Sequence, residues 1–178
     1  ASRVNLLREG RLIYAGGWWT ASALAQRYQT LNPDPDVRNV EPYRRLPQLR
    51  LDAVRADLAG GMAGLLETEF VRFAHRERDR DEASRFVAYP QLSLPMQGAA
   101  WFVTPKAGVH YTSYDIDRAV PKAGKPDSIT RSVPIVSLDS GLFFERESHY
   151  FGKDYLQTLE PRLFYLRVPS RNQDDIPL

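Results

Sequence analysis

The feature of this sequence that most constrains its fold is a period-two alternation of apolar and polar residues. Between residues 135 and 146, one parity carries Val136, Leu138 and Phe144, and the other carries Asp139 and Glu145. Successive side chains of a β-strand point to opposite faces of the sheet, so this segment makes a strand with one apolar and one charged face. Apolar residues at helical spacing are scarce, and Gly and Pro recur too often for long helices. The alternation therefore predicts an all-β chain.

The same alternation recurs along the chain and predicts roughly eight antiparallel strands in up-and-down order. The predicted strands cover residues 2–8, 11–30, 43–57, 63–75, 85–96, 100–116, 131–147 and 153–168. Several are longer than the ~5–6 residues usual in soluble sheets, and their length suits strands that cross a membrane at a tilt. All 178 residues are taken as one segment, with no separate second domain.

The connections between these strands alternate between short turns and long polar loops. Short turns are predicted at residues 9–10, 59–61 and 96–98, with a somewhat longer one at 148–153. Long polar connections are predicted at residues 32–42, 76–84 and 121–130, and another begins at Ser170. In an up-and-down sheet this alternation places every long connection at one end. Outer-membrane barrels have this pattern, with short periplasmic turns and longer extracellular loops.

Alternation alone fits two architectures, a soluble sandwich and a membrane barrel. A sandwich packs two apolar faces together, whereas a barrel turns its apolar face to lipid and its polar face to a water-filled lumen. Such a lumen keeps mid-strand charges such as Arg50, Asp52 and Lys106 solvated. Aromatic residues also cluster near strand ends, as they do in interfacial girdles. These features favour an antiparallel transmembrane β-barrel segment.

Five prolines fall inside the predicted strands, on the apolar parity. Proline lacks the N–H that a ladder needs, so each is expected to leave one hydrogen bond unmade, with local bulges or a strongly twisted wall as the consequence. They are Pro47, Pro90, Pro105, Pro134 and Pro161.

Composition excludes several classes of function. The mean hydropathy is −0.44, and no stretch approaches the ~18 consecutive apolar residues that a membrane helix needs. The chain has no cysteine, which excludes disulfides and thiolate metal sites within it. The net charge is only +2 and nucleic-acid-binding motifs are missing, so no nucleic-acid partner is expected. His75, His110 and His149 lack metal-ligand spacing, and neither a metal nor a cofactor is expected.

Several segments together resemble one known family. Residues 155–177 read YLQTLEPRLFYLRVPSRNQDDIP and residues 134–146 read PIVSLDSGLFFER. With YRRLPQLRL at 43–51, FVAYPQLSLP at 86–95 and LAQRYQTL at 24–31, they resemble the C-terminal outer-membrane β-barrel domain of the LptD (OstA/Imp) family of lipopolysaccharide-assembly proteins. The positions that carry the family motif are Leu159, Glu160, Pro161, Arg162, Tyr165, Pro169, Arg171 and Gln173.

The resemblance implies a function and a set of partners. It implies a non-enzymatic barrel in the outer membrane of a Gram-negative bacterium that transports lipopolysaccharide and inserts it into the outer leaflet. The implied partners are lipopolysaccharide, outer-membrane lipid, an LptE-like plug lipoprotein, and a periplasmic transport bridge that acts through a jelly-roll domain not found in these residues. Only the middle of the family barrel is matched, so the segment is expected to belong to a larger barrel.

Parity alone selects the residues expected to face the lumen and to contact the sugar and phosphate groups of the lipid. They are Glu67, Glu69, Lys106, His110, Asp139, Glu145, Glu160 and Arg162.

Alternative functions remain open from the sequence. One is a soluble all-β binding or structural module, which would stay folded without detergent. Another is an outer-membrane barrel hydrolase, which would depend on Ser140 or His110. Glu67 and Glu69 lie ~7 Å apart by strand rise, a separation that also suits an inverting glycosidase, although a solvated lumen face is the simpler interpretation.

The loop pattern makes a direct prediction about topology. Single cysteines replacing Asp127 and Gly60 lie in a predicted long loop and a predicted short turn. On intact cells, a membrane-impermeant maleimide is expected to label the full-length protein at position 127 and not at position 60. Labelling at position 60 alone would reverse the orientation, and labelling at both would contradict the barrel.

Overall fold

The computed structural model describes residues 5–31, 42–77, 79–120 and 124–171. Within these ranges the chain forms eleven β-strands and one turn of 3-10 helix at Ala59–Gly61. No helix in the described ranges is long and apolar enough to cross a membrane. The strands are β1 (Asn5–Ala15), β2 (Trp19–Thr30), β3 (Arg44–Leu58), β4 (Met62–Ala74), β5 (Glu82–Ser93), β6 (Met96–Gln97), β7 (Trp101–Asp117), β8 (Ser128–Leu142), β9 (Phe144–Tyr150), β10 (Lys153–Leu159) and β11 (Arg162–Arg167).

The strands form one large antiparallel sheet and one separate hairpin. The large sheet has the order β1-β2-β3-β4-β5-β7-β8-β11, with β6 also paired to β7, and β9 pairs with β10. Neighbours in the sheet are consecutive in the chain with two exceptions: β7 pairs with β5 across the short β6, and β11 returns to β8 after the β9–β10 hairpin. The predicted antiparallel all-β fold is confirmed, and the sheet is not closed because β1 and β11 are its free edges.

The first predicted turn is wrong. Gly10 lies inside β1 and pairs with Ala25, and the chain reverses instead over residues 16–18. The Gly16 N–H donates a hydrogen bond to the Trp19 carbonyl at 2.7 Å. A Cβ on Gly16 would lie 2.7 Å from the Trp19 indole nitrogen, whereas a Cβ on Gly10 would meet nothing within 4 Å. The turn therefore needs its glycine at position 16, and the predicted strands 2–8 and 11–30 become β1 and β2.

Two other short connections differ from the prediction. The turn predicted at 148–153 is a two-residue turn of Phe151 and Gly152 with φ of 52° and 74°, the left-handed conformation that tight hairpins favour. The turn predicted at 96–98 lies at 98–100, because Met96 and Gln97 still pair with Val103 and Phe102. The turn at 59–61 is confirmed.

The last two predicted strands form one long hairpin with a break. Arg162 pairs with Gly141 and Leu159 pairs with Phe144, so the register does not shift between the two pieces. At the break the Leu142 N–H donates to the Pro161 carbonyl at 3.0 Å. The reciprocal bond cannot form because proline has no N–H. Pro161 therefore separates the β9–β10 hairpin from the main sheet.

The other prolines divide between bulges and regular pairing. Pro47 lies where the register between β3 and β4 shifts, between Arg45 and Gln48, as predicted. Pro105 and Pro134 lie in an unbroken register between β7 and β8, so neither forms a bulge between these strands.

Connection lengths divide between the two ends of the sheet as predicted. Turns at residues 16–18, 59–61 and 98–100 lie at one end, called here the short-turn end. The connections at 75–81 and 118–127 lie at the other, the long-loop end. Most of the loop predicted at 32–42 falls outside the described residues, although β2 and β3 bound it at the long-loop end.

The described part of the chain has very little apolar core. Its buried hydrophobic residues are Val71, Ile116 and Val133, and Val71 is exposed by 1%. Many large apolar side chains are exposed instead, including Leu12 at 76%. A single sheet layer has no second layer to cover its faces.

The turn at Gly16 gives a matched test of this fold. Gly16→Ala is expected to force the Trp19 indole to move, at a cost of about 1–3 kcal/mol. Hydrogen exchange measured by mass spectrometry should then speed up in β1 and β2. Gly10→Ala is the control, because a methyl group has open space there and should leave exchange unchanged. Equal exchange in both variants would contradict the assigned turn.

Candidate functional site

The strand register gathers polar side chains from five strands on one face of the sheet. One cross-strand row runs through Arg50, Glu69, Val87, Thr112 and Arg131. The neighbouring strand positions on the same side carry further polar groups: Gln48, Asp52, Glu67, Arg85, Tyr89, His110 and Tyr114. We call this side the polar face. Its central residues line an open cavity of about 350 Å³.

Charges in the middle of the polar face neutralise one another. Glu69 accepts a hydrogen bond from Gln48 Nε2 at 2.7 Å and forms an ion pair with Arg85. Arg50 Nε donates to both carboxylate oxygens of Asp52, at 3.1 and 2.9 Å. This part of the face is therefore strongly polar without a large excess of either charge.

An aromatic and hydroxyl group lies beside these ion pairs. The rings of Tyr89 and His110 have centroids 5.4 Å apart, and the Thr112 hydroxyl is 3.4 Å from His110 Nδ1. A Cβ on Gly108 would lie 2.9 Å from the Pro90 carbonyl oxygen and 3.0 Å from the Tyr89 ring. Glycine at this position lets Tyr89 pack against the β7 backbone, next to His110.

A second charged pair joins β8 to β11. Arg162 donates to both carboxylate oxygens of Asp139, from Nε at 2.8 Å and from Nη2 at 2.6 Å. Two parallel bonds of this kind fix the orientation of both side chains as well as adding energy. The pair lies on the sheet side of the break at Pro161.

The residues predicted from parity do not all meet at one place. Glu67, Glu69 and His110 line the central cavity. Lys106 pairs in register with Ser137 outside that cavity. Glu145 pairs with Thr158 in the separate hairpin, and Glu160 is exposed at the break. The structure therefore does not gather all eight residues in one place, because parity gives the face of a strand and not the position along it.

The positions of the family motif are also spread out. Leu159 and Tyr165 are exposed on β10 and β11. Pro169 and Arg171 follow β11 and line a second cavity beside β7 and β8. Gln173 lies outside the described residues.

Sequence reasoning missed several contributors to the polar face. Arg85, Tyr89, Thr112 and Arg131 were not selected, although period-two parity within β5, β7 and β8 places each on this side. Their importance follows only from the cross-strand register, which one strand cannot reveal.

The arrangement gives no support to the enzymatic alternatives. Ser140 pairs with Val103 and Leu163 on the side opposite His110, so the two cannot form a nucleophile and base within this sheet. Glu69 forms an ion pair with Arg85 and accepts a hydrogen bond from Gln48, and both interactions favour its charged form. Within the residues that the structure describes, no group of three or more His, Cys, Asp or Glu side chains could hold a metal ion.

The Glu69–Arg85 pair can be weighed against an exposed pair in the same chain. A double-mutant cycle combines Glu69→Gln and Arg85→Gln and measures the free energy of opening of the β4 and β5 amides. The expected coupling energy is about 1 kcal/mol or more, because both side chains are partly buried. The Glu77–Arg80 pair has side chains about half exposed, and its cycle is expected to give at most about 0.5 kcal/mol. Native-state hydrogen exchange measures both. A larger coupling energy for Glu77–Arg80 than for Glu69–Arg85 would contradict the prediction that the partly buried pair is the stronger one.

Comparison with known proteins gives a consistent match. A family model described as "LptD: LPS transport system D" matches residues 1–178. The chain is 60% identical over 182 residues to the LPS-assembly protein LptD of Azoarcus sp. strain BH72 and 56% identical over 179 residues to that of Aromatoleum aromaticum. It is 39% identical over 188 residues to the LptD of Bordetella pertussis.

These alignments cover the whole chain but only part of each relative. The chain spans 22% of the length of the first two proteins and 24% of the third. The expected position in the middle of a C-terminal barrel domain is not borne out by these matches.

Proposed function

Because the chain belongs to the LptD family, we propose that its sheet is a section of the wall of an outer-membrane β-barrel that transports lipopolysaccharide. The observation that carries this proposal is a single-layer sheet with one apolar face and one charged face. In the proposed orientation the apolar face contacts lipid and the polar face lines the lumen. The relatives are named LPS-assembly proteins.

Cross-strand rows on the apolar face support contact with lipid. One row runs through Leu12, Ala23, Leu49, Phe70 and Phe86. Leu12 and Leu49 are exposed by 76% and 46%. A contiguous row of apolar side chains across five strands is rare on the surface of soluble monomers, and such a surface is usually covered by lipid or by another protein.

Aromatic residues on the apolar face have the separation expected of two interfacial girdles. At the short-turn end Trp101 is exposed, and toward the long-loop end Tyr111 and Phe86 have ring centroids 6.3 Å apart. Trp101 and Tyr111 are ten residues apart on β7. At ~3.4 Å per residue and a tilt of ~40°, that distance projects to ~26 Å along the membrane normal, close to the ~25 Å height of a barrel's apolar band.

The free edges of the sheet support its place in a larger barrel. The outer edges of β1 and β11 present backbone N–H and C=O groups that the described strands do not pair. Such groups are very costly in hydrocarbon, so a wall in a bilayer must continue on both sides until it closes. The partial coverage of the relatives leaves ample chain to supply those strands.

The proposed mechanism is non-covalent. Charged and hydroxyl groups of the polar face hydrate and contact the sugar and phosphate part of lipopolysaccharide in a lumen that excludes its acyl chains. The proposed location is the outer membrane of a Gram-negative bacterium. An LptE-like plug lipoprotein and a periplasmic bridge that delivers lipid through a jelly-roll domain are partners proposed from the family resemblance.

Photo-crosslinking in cells tests this function on the full-length protein. Photoreactive residues at Lys106 and His110 on the polar face are expected to form adducts with lipopolysaccharide. The matched probe at Val103 lies on the apolar face near the short-turn end and should form adducts with phospholipid of the inner leaflet.

Two results would overturn the proposal. One is phospholipid adducts at Lys106 and His110 without any lipopolysaccharide adduct. The other is a full-length protein that stays folded and monodisperse without detergent, which would favour the soluble all-β module.

A further inference from the structure

We propose that the polar face carries a binding site for phosphate groups at its β8–β11 edge, formed by Arg131, Arg171 and His110. This inference rests on the transport function proposed above, because it assigns one chemical group of the transported lipid to one place on the lumen wall. It concerns a cavity that adjoins the central one and shares His110 and Arg131 with it.

The site arises because β11 is shorter than its neighbour. β11 ends at Arg167, which pairs with Val136, whereas β8 extends back to Ser128. Residues 168–171 continue without strand pairing and form one wall of a cavity of about 410 Å³. The opposite wall comes from His110 on β7 and from Arg131 and Val133 on β8. Residues distant in sequence thus surround one space.

The charge of this cavity is of one sign. Its lining includes the two guanidinium groups of Arg131 and Arg171 and the imidazole of His110, and it includes no carboxylate. The adjoining central cavity shares Arg131 and His110 but also holds Glu67 and Glu69. Glu69 forms its ion pair with Arg85 and not with Arg131. An anion is the ligand that this lining favours.

Arg131 has unused hydrogen-bonding capacity. Its Nε atom is buried and finds no hydrogen-bond partner in the part of the chain that the structure describes. A guanidinium without a partner keeps an uncompensated positive charge, which an oxyanion in the cavity can neutralise with charge-assisted bonds. Its register neighbour Thr112 is 4% exposed, with its hydroxyl 3.4 Å from His110 Nδ1, which helps to hold the imidazole beside Arg131.

The combination of groups favours phosphate over a carboxylate. The planar guanidinium group of arginine can donate hydrogen bonds to two oxygens of one anion. Two such groups and an imidazole therefore suit a phosphate group, which has three free oxygens and up to two negative charges. The Ser170 backbone and hydroxyl lie in the same lining. Two sources carry this group: the phosphates of the lipid headgroup region and free inorganic phosphate.

The experiment uses the full-length protein with a photoreactive residue at position 170, exposed in the cavity wall. The probes are purified lipopolysaccharide and the same preparation after its phosphates have been removed enzymatically. We expect removal of the phosphates, or the Arg131→Gln and Arg171→Gln changes together, to lower the adduct yield by about tenfold, as expected when charge-assisted bonds are lost. Arg131→Lys should retain part of the yield, because it keeps the charge but loses the planar guanidinium group.

Arg167→Gln is the matched control. It removes the same charge four residues from Arg171, but Arg167 pairs with Val136 on the parity of the apolar face. The adduct yield from position 170 should be unchanged. Hydrogen exchange in β8 and β11 establishes that each variant is folded.

The outcomes separate this inference from the proposed function. Equal yields with intact and dephosphorylated lipid, or no adduct from position 170 while Lys106 and His110 still form adducts, would overturn the phosphate site alone. Loss of all lipopolysaccharide adducts would overturn the transport function and the site with it. Arg131-dependent binding of inorganic phosphate that prevents the lipid adduct would support the site and show that free phosphate also enters it.

Discussion

The antiparallel hydrogen-bond ladder is the constraint on which the rest of this structure depends. It holds Arg50 beside Glu69 on one face and Leu51 beside Thr68 on the other. Because side chains alternate strictly, a slip of one residue would carry Glu69 to the apolar face and Phe70 to the polar one. The two faces therefore exist only while every pair of neighbours keeps its register. The bulge at Pro47 changes the register near one end of β3 and leaves the central rows aligned.

A sheet of this kind has no interior in the usual sense. Most of its large apolar residues lie on one surface instead of between two layers, and the other surface carries charged residues, several of them in ion pairs. Stability then depends on the backbone ladder and on whatever covers each face. Lipid on one side and water on the other satisfy both faces at once, whereas water on both sides would leave the row from Leu12 to Phe86 exposed. This balance between the two faces is the physical basis of the proposed membrane environment.

Irregularities at both ends of β11 have structural consequences. Pro161 interrupts the pairing of one long hairpin, and the bidentate Asp139–Arg162 pair secures the sheet beside that interruption. At its other end β11 stops early, and residues 168–171 lie against the polar face, where Arg171 joins Arg131 and His110. Pro161, Arg162, Pro169 and Arg171 all belong to the motif recognised in the sequence. The motif therefore specifies an irregular edge in addition to a strand.

The sequence by itself determined the class of fold, the two faces of each strand and the division of short and long connections between the two ends. These properties depend on a local period of two and on nearby Gly, Pro and polar residues, so one strand at a time is enough to establish them. Only the tertiary structure decided that the first turn needs Gly16 and not Gly10, because the reason is the position of the Trp19 ring. It also decided that Glu69 meets Arg85, that Glu145 lies away from the other charged residues, and that Arg131 and Arg171 share a cavity. Those relationships depend on register between strands distant in the chain, and no local pattern contains that information.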